Sequence, residues 1–395
     1  MIQPRPEVLI IGSGPAGIAS ALALRRRNLP YRLVEKTTRL ADTWASLYPS
    51  LRLNTSRFYS HLEGHRFPLH YGIFASGKQY HEYLVRVVER EGLAVEFNRE
   101  VRRVSAQDGL WRVDFADGAV EHHRAVISAT GIYGRPTWPN IPDMDVFMGQ
   151  VIHAHDYKHP DQLRGRRVLV VGTGPSGVDI AIAASQVADQ TAISMRSGVD
   201  LKRRYPLGLP IHAWLMLGLL LPRPVCRRLM RAVGQMGYPQ QERYGLRKPQ
   251  GGGLTAYQGP ELLRAVQRGL IQPVPGPTRF SPHGVILADG SCYPADLVVL
   301  ATGYEPVLHD YLDVPMQFSD EAWRSPNPCD WEIGPNGQRG FPLLDRAQHP
   351  NGRQILGQHG LYVVGVYYKG KGALYNINVE ARIAAEQIAA WWAQP

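Results

Sequence analysis

The 395-residue chain is predicted to be an α/β protein with two parallel-sheet units, the second inserted into the first. Three observations predict this. The fingerprint Gly12-Ser13-Gly14-Pro15-Ala16-Gly17 follows the apolar run Val8–Ile11. A second copy of the same form, Gly172-Thr173-Gly174-Pro175-Ser176-Gly177, follows Val168–Val171. Two Ala-Thr-Gly strings, Ala129-Thr130-Gly131 and Ala301-Thr302-Gly303, end apolar strands on either side of the second fingerprint. A strand that ends in G-x-G-x-x-G and opens a helix turns unpaired backbone N–H groups and the positive helix end toward a pyrophosphate. Two copies imply two Rossmann-like dinucleotide-binding domains.

Residues 1–35 read as a β-α-β unit: strand Val8–Ile11, a helix from about Pro15 through Arg27, and strand Tyr31–Val34 closing on Glu35. A carboxylate there accepts from an unphosphorylated ribose, which indicates FAD or NAD. The stretch from Asp42-Thr43-Trp44 to about Tyr71 is too long for a simple connection and is expected to wrap the cofactor. Ser76-Gly77-Lys78-Gln79 has capping-box spacing and opens the amphipathic helix Tyr80–Arg90. Alternating segments around 101–104, 111–115 and 118–122, with Asp108-Gly109 and Asp117-Gly118 between them, read as antiparallel strands. The strand Thr191–Met195 of the second unit runs into Arg196-Ser197 with no acid, and a guanidinium there suits the 2′-phosphate of NADPH. The order is therefore FAD first, NADPH second. The expected division is 1–160 and 296–395 for the FAD domain and 161–295 for the NADPH domain, with a helical insert at about 205–250.

Bulk composition is that of an ordinary globular protein, 44% hydrophobic and 20% charged. The net charge of +10 fits phosphate-bearing cofactors, and no basic block is interleaved with aromatics as single-strand nucleic-acid binders require. Cys226, Cys292 and Cys329 are scattered without a C-x-x-C, which argues against a redox-active cysteine pair and against a metal site. The N-terminus runs almost directly into a strand, leaving no room for a signal peptide, so a cytoplasmic protein is expected. The apolar segment Leu207–Pro222, flanked by arginines, is shorter than the roughly 20 residues that span a bilayer. A buried helix, a homodimer contact or an apolar substrate-channel wall is preferred for it over docking of 207–231 on a membrane surface.

Ahead of the second fingerprint stands Phe147-Met148-Gly149-Gln150-Val151-Ile152-His153-Ala154-His155-Asp156-Tyr157, of the form F-x-G-x-x-x-H-x-x-x-Y. This resembles the fingerprint of flavin-containing monooxygenases, and Lys158-His159 after it resembles their heteroatom-oxygenating branch rather than the Baeyer–Villiger branch. The resemblance implies FAD contacts from Gly12, Gly14, Pro15, Ala16, Gly17, Glu35, Lys36, Thr43, Trp44, Ala129, Thr130, Gly131 and Asn376. It implies NADPH contacts from Gly172, Gly174, Pro175, Ser176, Gly177 and Arg196, a linker at Ala301, Thr302, Gly303 and Tyr304, and an active-site asparagine at Asn54. His153 is expected to be a structural hinge. The glycine-rich turn that the family carries before Trp44 is here Leu40-Ala41-Asp42, a departure from the pattern.

The implied activity needs O2 and a small-molecule substrate: NADPH reduces FAD, a C4a-(hydro)peroxyflavin forms, and one oxygen atom passes to the substrate, at nitrogen or sulfur first. The alternative is carbonyl-directed oxygenation, either Baeyer–Villiger or oxidative decarboxylation of a 2-oxo acid, since the tail segments are similar to plant indole-3-pyruvate monooxygenases. A flavin-dependent NADPH oxidase, a reductase or a redox-sensing binding protein is the further alternative.

Overall fold

The structure, a computed structural model, describes residues 7–249, 255–256, 259–316, 344–345, 353–366 and 372–394; Cys329 lies outside them. The backbone divides into two compact units. One is built from Met1–Ser46, Thr55–Arg135 and Glu305–Pro395, the other from Leu47–Asn54 and Pro136–Tyr304.

In the first unit a parallel sheet has the spatial order Tyr31–Val34, Val8–Ile11, Val126–Ser128, Leu361–Val363. Parallel strands covered on both faces read as unbroken apolar runs. Val8, Leu9, Ile10, Val126, Ile127 and Leu361 are accordingly hidden from solvent. From Val8–Ile11 the chain steps to one side for Tyr31–Val34 and later to the other for Val126–Ser128. The fingerprint strand therefore marks the point of reversed strand order, where α/β sheets bind ligands beyond their carboxyl ends.

The first helix, Pro15–Arg25, has Pro15 at its first position, where no N–H is needed. It ends two residues before the expected Arg27, because Asn28 turns the chain with a φ of +54°. It packs against the C-terminal helix Ala373–Trp392, and Arg27 pairs with Glu386 across that contact at 2.7 Å. Ser76 and Gln79 make the reciprocal capping box, at 3.1 and 2.9 Å, that opens the helix Gly77–Glu91. Val101–Gln107, Leu110–Phe115 and Val120–His123 form an antiparallel sheet joined at its edge by Leu312–Asp313. Asp108 and Gly109 both take positive φ, which matches the twist of a two-residue hairpin.

The second unit holds a parallel sheet ordered Gln272–Pro275, Gln190–Met195, Arg167–Val171, Leu297–Leu300, Gln150–His153. Its fingerprint strand also sits at a reversal of strand order. The unit's limits correct the expected breaks at 160/161 and 295/296. Gln150–His153 lies in register beside Leu297–Leu300, which draws the chain from Pro136 to Tyr304 into one unit. A three-stranded antiparallel sheet, Pro277–Ser281, Gly284–Leu287 and Cys292–Pro294, completes it.

Two further readings are corrected. The stretch from Asp42 to Tyr71 does not stay with the first unit throughout. Leu47–Asn54 belongs to the second, where Tyr48 is buried among Tyr157, Val178 and Ile180 and Leu51 packs on the same cluster. The helical insert consists of Ile211–Leu219 and Arg223–Gln235, and of the three expected placements the buried helix is not found: Met216 and Leu217 within the first helix are 44% and 45% exposed, and Leu220 just beyond it 81%.

Candidate functional site

Each unit carries one cradle, and the two follow one pattern. Gly12 and Gly172 take φ of +103° and +113°, a region open to glycine and strained for other residues. A Cβ at Gly12 would lie 2.9 Å from the Ala129 carbonyl oxygen, and one at Gly172 would lie 2.4 Å from that of Ala301. Gly17 and Gly177 let the helix pass over the turn, since a Cβ there would fall 1.8 and 2.1 Å from the carbonyl oxygens of Gly12 and Gly172. Ala129 and Ala301 donate backbone N–H bonds to Ile11 and Val171 at 2.9 and 2.8 Å. The two Ala-Thr-Gly strings thus perform one task twice, each closing the cradle of its own unit. In the second, Thr302 Oγ1 also donates to the Thr137 carbonyl at 2.5 Å, and Gly303 accepts from Thr137 N at 3.0 Å.

Gly14 differs from Gly12 and Gly17. Its φ of −71° suits any residue, and no atom of the described chain lies within 4 Å of a Cβ built on it. Neither packing nor backbone conformation asks for glycine. Gly14 is the N-cap of the helix Pro15–Arg25, so this open space lies at the helix's positive end.

The two strand ends differ in chemistry. Glu35 is buried at the end of its strand, and its Oε2 accepts from Ser13 N and Oγ at 2.9 and 2.8 Å. Its Oε1 accepts from Thr37 N and Oγ1, both at 3.0 Å. A carboxylate offers about four lone-pair directions, and these four bonds take them up within the chain. In the second unit Thr173 stands where Ser13 does, but its Oγ1 donates to the Gly198 carbonyl at 3.0 Å. No acid occupies the strand end. Arg196 is exposed there, beside Gly276.

One cationic element at this edge was missed from sequence. Val199 N donates to the Arg247 carbonyl at 2.9 Å, and a Cβ at Gly198 would meet that same oxygen, so Arg247 and Lys248 lie against the turn that follows Arg196. The only signal was the string Arg247-Lys248-Pro249 itself.

Ala41 resolves the departure before Trp44. It adopts the left-handed conformation, φ +49°, that a glycine would take without strain, and its N–H donates to Ser13 Oγ at 3.3 Å. Trp44 is half-buried with its ring edge-on to Tyr80, centroids 4.5 Å apart, while Lys36 and Thr43 are exposed. The C-terminal helix begins at Ala373, and Asn376 lies buried in its first turn with N–H to the Gly372 carbonyl at 3.1 Å.

In the second unit Tyr48 OH donates to Asp179 Oδ2 at 3.1 Å, one turn into the helix Pro175–Ala184, and its ring leans on Tyr157 at 5.4 Å. Burial and the Asp179 carboxylate push the Tyr48 phenol well above its ordinary value, which keeps it a donor. Asn54 ends that segment, and its Oδ1 is buried with no hydrogen-bond partner among the described residues. His153 is fully buried, accepts from His155 N at 3.0 Å through Nδ1 and stands edge-on to Tyr304 at 5.1 Å. Burial lowers its pKa, so it is neutral at neutral pH.

Two parallel-sheet units with one dinucleotide cradle each are the architecture of a protein that binds two dinucleotides. The comparisons agree. A model of the pyridine nucleotide-disulphide oxidoreductase family matches residues 9–207. A probable indole-3-pyruvate monooxygenase, YUCCA9 of Arabidopsis thaliana, is 30% identical over 400 residues, covering 97% of this chain and 89% of its own. Indole-3-pyruvate monooxygenase YUCCA1 of Oryza sativa subsp. japonica is 27% identical, covering 98% and 92%. Among solved structures, a flavin-containing monooxygenase from Stenotrophomonas maltophilia superposes with a TM-score of 0.70 at 25% identity, over 99% of this chain and 100% of that one. Cyclohexanone monooxygenase, with a TM-score of 0.66 at 18% identity, shares the fold. The chain belongs to the flavin-containing monooxygenase family and is an FAD- and NADPH-dependent monooxygenase.

Proposed function

We propose that the chain oxygenates a small 2-oxo acid with release of its carboxyl group as CO2. The observation that carries this is the 30% identity over 97% of the chain to a relative named for indole-3-pyruvate, together with cradles whose strand ends differ as FAD and NADPH require. The reaction balances as one 2-oxo acid, one O2, one NADPH and one proton giving the acid one carbon shorter, CO2, NADP+ and water.

When bound, the flavin accepts the hydride of NADPH and activates oxygen. The chain's own residues bind and orient. Gly12, Gly14 and Gly17 with Glu35 hold the first nucleotide; Gly172, Gly174 and Gly177 with Arg196 hold the second. Asn54 is the candidate active-site residue. A buried acceptor without a donor costs about 1–3 kcal/mol, and a bound N–H or O–H recovers it. Asn54 Oδ1 is such an acceptor, and it receives a hydrogen bond from the nicotinamide nucleotide or the substrate.

The second reading, oxygenation at nitrogen or sulfur, is supported by Tyr157-Lys158-His159, which follows the heteroatom branch. Supplying an aryl 2-oxo acid, a tertiary amine and a methyl sulfide in parallel separates the readings. Equal molar NADPH consumption and CO2 release with the oxo acid supports the first. N-oxide or sulfoxide without CO2 supports the second, and hydrogen peroxide alone in all three overturns both.

A further inference from the structure

The helical insert has a surface that cofactor binding does not explain. Eight of the nineteen large apolar side chains exposed among the described residues fall between Tyr205 and Val225. Met216 and Leu217 recur one turn later as Leu220 and Leu221, which gives the helix Ile211–Leu219 and its end one outward apolar face. The other side of the hairpin is used internally, where a Cβ at Gly218 would sit 3.2 Å from Cys226 Sγ and Val233 is buried. Leu220, at the tip between the two helices, is 81% exposed.

The charge pattern says what covers this face. Residues 201–241 contain no Asp and no Glu but seven Lys and Arg. Arg223, Arg227, Arg228 and Arg231 along the helix Arg223–Gln235 are all exposed and make no ion pair among the described residues. A two-fold contact with a second copy would set this patch against itself, cation facing cation, with no acid from 201–241 to neutralise it. An anionic lipid surface supplies both complements, phosphate for the arginines and the acyl boundary for Leu220 and its neighbours. No helix among the described residues is long and apolar enough to cross a membrane, so the contact is peripheral.

We propose that the hairpin 205–231 docks this protein peripherally on an anionic membrane surface. The proposal stands on the surface alone and does not depend on which substrate is oxygenated. The test is sedimentation of the full-length, FAD-loaded protein with vesicles of phosphatidylcholine, with or without roughly 30% phosphatidylglycerol. The protein is expected to pellet with the anionic vesicles, to stay in solution with the neutral ones, and to be released by about 0.5 M salt. Leu220→Glu and the pair Arg227→Glu, Arg228→Glu should each weaken binding by roughly tenfold or more, while the rate of flavin reduction by NADPH stays unchanged.

Equal binding to neutral vesicles, or Leu220→Glu binding as well as the parent, overturns the proposal. So does binding to a soluble acidic polypeptide, indifferent to Leu220, with none to vesicles. A dimer in solution that Leu220→Glu dissolves, again without vesicle binding, assigns the face to a second copy instead.

Discussion

Tyr48 donates a hydrogen bond to Asp179 across 131 residues of sequence, and this bond ties Leu47–Asn54 to the start of the helix that follows the second fingerprint. Asn54 is the last residue of that segment, and Thr55 already belongs to the first unit, with its methyl against Gly372. Asn54 thus belongs, with Tyr48, to the second unit. Tyr48→Phe keeps the ring against Tyr157 and removes one buried bond, a loss of about 1 kcal/mol. The expected outcome is more hydrogen peroxide per NADPH consumed, with NADPH still reducing the flavin. A peroxide yield equal to the parent's contradicts the anchoring role.

The glycines of the first fingerprint should separate into structural and ligand-facing positions. Gly17→Ala puts a methyl within 1.8 Å of a backbone oxygen and should prevent folding or cost several kcal/mol. Gly14→Ala meets nothing in the chain, so the protein should keep its circular dichroism spectrum and lose FAD. Flavin retention on gel filtration, measured beside the melting temperature, checks both. A Gly14→Ala protein that holds FAD as tightly as the parent rules out the pyrophosphate there.

Arg196 is expected to choose between the nicotinamide nucleotides. Arg196→Ala should raise KM for NADPH by about tenfold or more, the worth of a charge-assisted bond, and leave KM for NADH nearly unchanged. Steady-state kinetics with both nucleotides reads the split. Parallel changes would move the 2′-phosphate contact elsewhere, with Arg247 and Lys248 the next cations to test.

Glu380 links pH to stability. It is wholly buried and accepts from Gly365 N at 2.6 Å; burial pushes its carboxyl up to about 7, against the pull of Arg353 and the Gly365 and Val366 amides. Between the ordinary value of 4.5 and 7 the folded chain therefore binds more protons than the unfolded one, and this group's contribution falls as pH rises through that window. Glu380→Gln removes this titration, so its stability relative to the parent should rise as pH increases from 4.5 through 7 and level off above it. Urea unfolding of both proteins across that range measures it.

The two cradles were legible in the sequence because their demands are local. Gly12, Gly17 and their counterparts are fixed by one tight turn, and Glu35 and Arg196 stand at strand ends the apolar runs already mark. Ala41 was not legible, because its left-handed turn is held by Ser13 rather than by its own residue type. The transfer of Leu47–Asn54 to the second unit depends on Tyr48 meeting Asp179 and Tyr157, contacts between distant segments that no periodicity encodes. The exposure of Leu207 and Leu220 escaped for the same reason: an apolar run reads alike whether a core covers it or solvent does.

The most direct measurement is to reduce the FAD-loaded protein anaerobically with NADPH, mix it with oxygen in a stopped-flow spectrometer, and follow flavin absorbance. A monooxygenase built on these two cradles should give a blue-shifted flavin species that persists without substrate and decays faster when the right substrate is added. Direct return to oxidised flavin with stoichiometric hydrogen peroxide, unchanged by any oxo acid, amine or sulfide, would contradict it.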